Sequence, residues 1–376
     1  MKKQTSIFLF LLTLLFSTYG QSLDQRLKQN LDSICKTSGY PGVVFAYVSA
    51  DGKSHPIVSG FADKEAEVKM TPEHKLHSGS TGKVVVSAVA MQLVQEGELQ
   101  LDKRLRDYLG ENEWFDRLPN ADSITVRHLM QHSSGIERYE FKEAFLTDLT
   151  RDPDRVWKAA ELVAYVLDDQ PPFAAGQGFT YADTNYILLG MIIEKITRDT
   201  FYHQAKIRIL DPLGLASYTP TYTRKIPMMA QGYYDPSSEY ALGFKSPFLK
   251  DGVAQNNMQF EWTGGGYAYQ TQEYAQLLKK IYEGEVFDLD KVGEDFFRFI
   301  ESPEIGGQYG LGVQQMTLPE IGKLWGHSGF FPGYYSIGLY DPERKMSYAM
   351  QINSTDMPHL QCFFRDYMTM IKKVIK

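Results

Sequence analysis

Ser80 and Lys83 stand three residues apart in His77-Ser78-Gly79-Ser80-Thr81-Gly82-Lys83-Val84-Val85-Val86. A serine hydroxyl at its ordinary pKa is a weak nucleophile and needs a base within reach. If a helix begins at about Ser80, the amine of Lys83 lies on the same face and can meet that hydroxyl. Burial of the lysine would lower its pKa toward a value at which it serves as a base. The same letters suggest the end of a phosphate loop, G-x-x-x-x-G-K-[ST]. That reading fails at both ends, because His77 stands at the first glycine and Val84 follows the lysine. Taken alone, the pair favours a helix cap, with Ser80 capping and Lys83 solvated in the first turn.

Two further stretches change the balance. Tyr181-Ala182-Asp183 lies just before a helical pattern in the run from Phe179 to Gly190, and His327-Ser328-Gly329 lies in a strand-like run from Trp325 to Tyr334. Rival chemistries fall away on their spacing. His128 and His132 are four apart, but Leu129 occupies the place of the glutamate in H-E-x-x-H, and His74 with His77 lacks an acidic partner. These histidines read as structural. Gly326 to Phe330 nearly matches the hydrolase elbow G-x-S-x-G, yet it ends on Phe330 and precedes strands, not a helix.

The elements that must position these residues are legible in outline. A first helix carries Leu23, Leu27, Leu31 and Ile34, and the β-branched run Gly42–Val48 turns at Asp51-Gly52 into His55–Phe61. Near the other end, Tyr335–Tyr340 and Met346–Ile352 form a second hairpin, whose alternating Met346, Tyr348, Met350 and Ile352 predict a one-sided face. Helical periods appear between them over Thr81–Glu96, Pro153–Asp168 and Tyr186–Thr197. The pattern predicts an α/β (α+β) fold of two lobes. An antiparallel sheet, flanked by N- and C-terminal helices, takes residues of about 21–79 and 305–376, and a mostly helical insertion takes about 80–304. A cleft between the two is the natural place for a site.

The chain opens with two lysines, an apolar run from Ile7 to Phe16 broken only by Thr13, and the small-residue site before Gly20-Gln21. This order predicts a secretory leader over residues 1–20 and a periplasmic or secreted protein. The run is well short of the roughly 20 apolar residues that would anchor it in a membrane. The formal charge of −7 and the absence of a basic stripe argue against nucleic acid as a partner. The two cysteines, Cys35 and Cys362, could be joined outside the cytoplasm. Helical phase argues against it, with Cys35 on the flank of its stripe and Cys362 nearly opposite the stripe of Leu360, Phe364, Tyr367, Ile371 and Val374.

With its three motifs in hand, the chain resembles the serine β-lactamase and penicillin-binding superfamily, most closely the branch of class C β-lactamases, D-Ala-D-Ala carboxypeptidases and related esterases. The S-x-x-K, Y-x-N and K-T-G or H-T-G boxes correspond to Ser80–Lys83, Tyr181–Asp183 and His327–Gly329. Phrases from Ile124, Asp211 and Trp262 are similar too. The resemblance implies a β-lactamase/transpeptidase-like fold and an acyl-enzyme on Ser80, with Lys83 and Tyr181 sharing the proton transfers. It also implies an oxyanion hole from the backbone N–H groups of Ser80 and Phe330, with His327, Ser328, Gly329 and Asp183 facing the substrate. No metal or cofactor is called for.

Two positions depart from the pattern. Asp183 replaces an asparagine, which favours protonated Lys83 unless Tyr181 takes over as base. His327 replaces the lysine of class C β-lactamases, so its grip on a substrate carboxylate should be weak and pH-dependent. The resemblance thus implies a carboxypeptidase-like peptidase or an esterase acting on a small molecule or a peptide such as a peptidoglycan stem. The alternatives are a class C-like β-lactamase and a non-catalytic penicillin- or peptidoglycan-binding sensor, and the oligomeric state stays open. Titration of the unfolded, unreduced protein is expected to return two free thiols; none would establish the Cys35–Cys362 bridge.

Overall fold

A computed structural model of the chain describes residues 21–238 and 241–376; the expected leader lies outside the described residues. Nine strands form one antiparallel sheet: β1 Gly42–Val48, β2 Ser54–Asp63, β3 Val68–Lys69, β4 Ile300–Glu301, β5 Gln308–Tyr309, β6 Gln314–Leu318, β7 Gly322–Phe331, β8 Tyr334–Asp341 and β9 Met346–Ile352. Their order is β3-β2-β1-β9-β8-β7-β6-β5-β4, so the two ends of the chain meet where β1 pairs with β9, from Val43 opposite Ile352 to Val48 opposite Ser347. Five helices matter for the site: α1 Leu23–Ser38, α2 Lys83–Gln95, α3 Asp183–Thr197, α4 Thr271–Tyr282 and α5 Met357–Val374.

Side-chain alternation splits β1 between two cores. Val43, Phe45 and Tyr47 join α1 and α5 on one face, and Val44 and Val48 join the helical region on the other. The face of β9 that was expected to meet solvent is covered as well. Its small and polar residues meet α4 and the serine segment: Ser347 Oγ donates to the Ala275 carbonyl at 2.6 Å, Gln351 accepts from Thr271 at 2.9 Å, and its amide donates to the His77 carbonyl at 3.3 Å. Polar residues alternating with apolar ones therefore mark a second buried contact here, one that is hydrogen-bonded instead of wet.

Helix α1 is delimited by a reciprocal capping box between Ser22 and Gln25 and by Gly39 in the left-handed region at φ 75°. Its buried stripe is Leu27, Leu31 and Cys35, so Cys35 points inward and not to the flank. Both cysteines are free, and the Tyr40 hydroxyl lies 3.5 Å from Cys362 Sγ. In α5 the expected phase is displaced. Phe363, Tyr367, Met370 and Ile371 are buried, whereas Phe364 is 43% exposed. The cause is Asp366, a polar residue admitted to the buried face because the Tyr40 and Ser38 hydroxyls donate to it at 2.8 and 2.5 Å.

The helical period over Pro153–Asp168 shortens to Ala159–Val163 and a tighter turn over Ala164–Val166. The chain before it turns at 153–154 and runs on outside any helix, with the Trp157 N–H donating to Gln259 at 2.7 Å. Phe363→Ala is expected to lower stability by about 3–5 kcal/mol in denaturant unfolding, against at most about 0.5 kcal/mol for Phe364→Ala. Equal effects would contradict this helix phase.

Candidate active site

Ser80 sits in a tight turn, Gly79–Gly82, from which α2 continues at Lys83. The turn is fixed from both sides. The Ser78 N–H donates to the Tyr267 carbonyl at 2.8 Å, and the Ser78 carbonyl accepts from the hydroxyls of Thr81 and Ser336, each at 2.7 Å. Strand β7 crosses beside it at backbone distance. A Cβ on Gly329 would stand 2.2 Å from the Ser78 carbonyl, and one on Gly79 would stand 2.5 Å from the Phe330 nitrogen. Glycine is required at both places, and Gly79 also has a φ of 50°.

The pairing of β6 with β7 runs only from Leu318–Gly322 to Gln314–Gly326, so His327 to Phe331 are paired with β8 alone and turn their other edge to the serine. The Gln314 side chain closes part of that edge, accepting from the Ser328 N–H at 3.1 Å and from its hydroxyl at 3.3 Å.

Lys83 is wholly buried, and its ammonium has three acceptors: Ser80 Oγ at 3.0 Å, the Asp183 carboxylate and the Gly264 carbonyl. Burial works against its charge, but the negative Asp183 and the Tyr181 oxygen outweigh it and hold Lys83 protonated above the usual lysine range. The expectation that burial would turn Lys83 into a free base is thereby corrected: burial came with a carboxylate.

Tyr181 and Asp183 reach the lysine from the start of α3. The loop before them is bound to His132, which is itself buried; its carbonyl accepts from the Thr180 N–H at 2.9 Å and its Nδ1 from the Ala182 N–H at 3.2 Å. The His132 ring packs on Tyr181 with centroids 4.1 Å apart. Glu304 holds the same loop through Thr180 Oγ1 and the Tyr181 N–H. The buried Tyr181 hydroxyl completes no hydrogen bond among the described residues. Burial raises its pKa, and the neighbouring Lys83 charge and Ser80 hydroxyl offset part of that rise.

His327 departs from its expected role. Only 1% exposed, it donates from Nδ1 to the Ser328 carbonyl at 2.6 Å, which leaves Nε2 to accept the Tyr309 hydroxyl at 2.8 Å. Burial and the Lys83 charge push its pKa down to about 3. Burial and these two hydrogen bonds favour the neutral ring, which offers no charge to a substrate carboxylate.

A cavity of about 390 Å³ opens over Ser80, Tyr181, Asp183 and His327 to Phe330. Three further charged residues line it that spacing did not single out: Arg138, Glu140 and Glu261. Arg138 is paired with Glu140 at 2.6 Å. Each lies beside a phrase that was conspicuous in the sequence, Arg138 and Glu140 just after His132-Ser133-Ser134-Gly135-Ile136 and Glu261 directly before Trp262.

The model of the family described as Beta-lactamase matches residues 23–363. The chain belongs to that family. Penicillin-binding protein 4 of Amycolatopsis lactamdurans is 31% identical over 188 residues, which is 50% of this chain and 47% of that protein. The chain thus spans less than half the length of that relative. The teichoic acid D-alanine hydrolase of Staphylococcus aureus is 23% identical over 349 residues, covering 92% of this chain and 78% of that protein. Among solved structures, the D-amino acid amidase of Ochrobactrum anthropi SV3 superposes with a TM-score of 0.79 at 22% identity, covering 94% of this chain and 98% of that one. That likeness shows a shared fold.

The site brings together a serine, a lysine and a tyrosine, the residue types that acyl transfer through a serine requires. Its distinguishing feature is the Lys83–Asp183 pair. Because the Asp183 charge raises the Lys83 pKa, the Lys83 amine is expected to titrate lower by about one unit or more in Asp183→Asn, read by NMR of its ε-carbon. An unchanged or higher value would show that Asp183 does not hold the Lys83 charge.

Proposed function

We propose that the protein is an exported serine hydrolase that cleaves small amides or esters whose leaving group carries no carboxylate. The observation that carries this reading is the neutral, fully hydrogen-bonded His327 at the place where a substrate carboxylate would need a cation. The leader-like residues 1–20 support export to the periplasm or medium. Relatives named for D-amino acid amidase and teichoic acid D-alanine hydrolase activity support hydrolysis of small acyl groups.

In this reading Ser80 Oγ bonds to the carbonyl carbon while its proton passes to Lys83, which first gives one of its own to Asp183. The C–N or C–O bond then breaks as the leaving group takes the Tyr181 proton. The Lys83–Asp183 pair reprotonates Tyr181 and returns to its starting state. Water repeats the sequence on the acyl-enzyme. The backbone N–H groups of Ser80 and Phe330 would hold the developing oxyanion. Asparagine at position 183 could not accept the proton, so aspartate there supplies a relay as well as a charge.

One observation favours a second reading. Arg138 lines the cavity, and if it exchanged Glu140 for a substrate carboxylate the protein would act as a D-Ala-D-Ala carboxypeptidase. A panel of a chromogenic ester, D-alaninamide, a stem peptide ending in D-Ala-D-Ala and a fluorescent penicillin, with intact-protein mass, separates the cases. Turnover of the ester and amide without the stem peptide is expected, and Ser80→Ala should abolish it. Tyr181→Phe should lower kcat by about 10²–10⁴-fold with little change in KM. Faster cleavage of the stem peptide favours the second reading; a stable penicillin adduct without turnover points to a sensor.

A further inference from the structure

The cavity is lined by three carboxyl groups and by Arg138, with Lys83 buried behind Asp183, and both cations are already taken. Lys83 is paired with Asp183 and Arg138 with Glu140. Glu261 is left over. It is 7% exposed, lines the cavity, and its carboxyl neither accepts a hydrogen bond nor forms an ion pair among the described residues. Glu140 adds a second unsatisfied acceptor, its buried Oε2. That oxygen is enclosed, so Glu261 is the carboxyl group that faces the cavity with an acceptor the described residues do not complete.

We infer that Glu261 is the recognition site for a primary ammonium group on the acyl part of the substrate, so that the preferred substrates are amides or esters of a small free amino acid. An ammonium brings the missing positive charge and up to three N–H donors, and the cavity of about 390 Å³ suits a compact aminoacyl group. The electrostatic setting agrees. Glu261 faces Asp183 and Glu140 as like charges and Lys83 and Arg138 as opposite ones, and burial together with Asp183 holds its proton well above the usual carboxylate range. An arriving ammonium would favour the ionised form, whereas a neutral acyl group would leave Glu261 protonated and an anionic one would be repelled. The site is also placed by the fold. Glu261 directly precedes the short helix Trp262–Gly265, whose Gly264 carbonyl is a Lys83 acceptor, so ammonium recognition and the base are carried on one segment.

This inference rests on the reading of the cavity as the acyl-enzyme site, and the test separates the two. Calorimetry on the Ser80→Ala protein compares D-alaninamide with propanamide, which lacks the amino group, and with N-acetyl-D-alaninamide, which masks it. D-alaninamide is expected to bind at least about tenfold more tightly than either, and adding Glu261→Gln should reduce that ratio to about one. The ratio is insensitive to a general weakening of the variant, and if the double variant fails to fold, the ratio on Ser80→Ala alone carries the result. Equal binding of the three ligands, or a ratio unchanged by Glu261→Gln, would overturn the inference and leave the hydrolase reading standing. Selective binding with no ester or amide turnover by the unaltered protein would do the reverse.

Discussion

An ammonium with no exposure to water is the constraint around which this molecule is arranged. Lys83 would be costly to bury alone, and losing the partner of such a charge typically costs about 3–5 kcal/mol. Its three acceptors come from three distant parts of the chain: Ser80 on the turn before α2, Asp183 at the start of α3 and Gly264 on the segment before α4. Satisfying one side chain therefore fixes three segments against one another. The catalytic geometry and the packing of the helical region are, at this point, the same set of hydrogen bonds.

The sheet contributes the fourth side. Strand β7 can lie at backbone distance from the serine turn because neither Gly329 nor Gly79 has a side chain to hold them apart. Farther out, α1 and α5 share the opposite face of the sheet, and Met357 and Leu360 from the first turns of α5 reach the cavity rim. His132, read from the sequence as structural, carries the loop that presents Tyr181 and Asp183. The rigid parts thus surround a small group of side chains whose protons are mobile, the arrangement that positioned acid–base chemistry requires.

Much of this was legible in the chain itself. Ser80 and Lys83 were noticed by their spacing, Tyr181, Asp183 and His327 gained their roles through the resemblance of the three boxes to a known family, and β1, β2, β8, β9 and α2 followed from periodicity. Charge states were not legible. Whether Lys83 is a base or His327 a cation depends on Asp183, Gly264, Tyr309 and the Ser328 carbonyl, partners that only folding brings close. The same limit hid Glu261, whose significance is that its carboxyl has no hydrogen-bond partner among the described residues, and it displaced the phase of α5, where the paired Asp366 counts as interior although its residue type suggests otherwise.

Gln314 gives the free edge of β7 a further meaning. An uncovered strand is a template on which any extended chain can continue the sheet, reading out a ladder of amides one residue at a time. Here one rung beside the nucleophile is already occupied, because the Ser328 N–H is held by a side chain of the protein itself. A polymer laid along that edge would lack its register where it most needs it, whereas a single aminoacyl unit needs no ladder. Under the proposed reading the edge would work as a length filter, discriminating by how much backbone a guest must pair before its carbonyl arrives at Ser80.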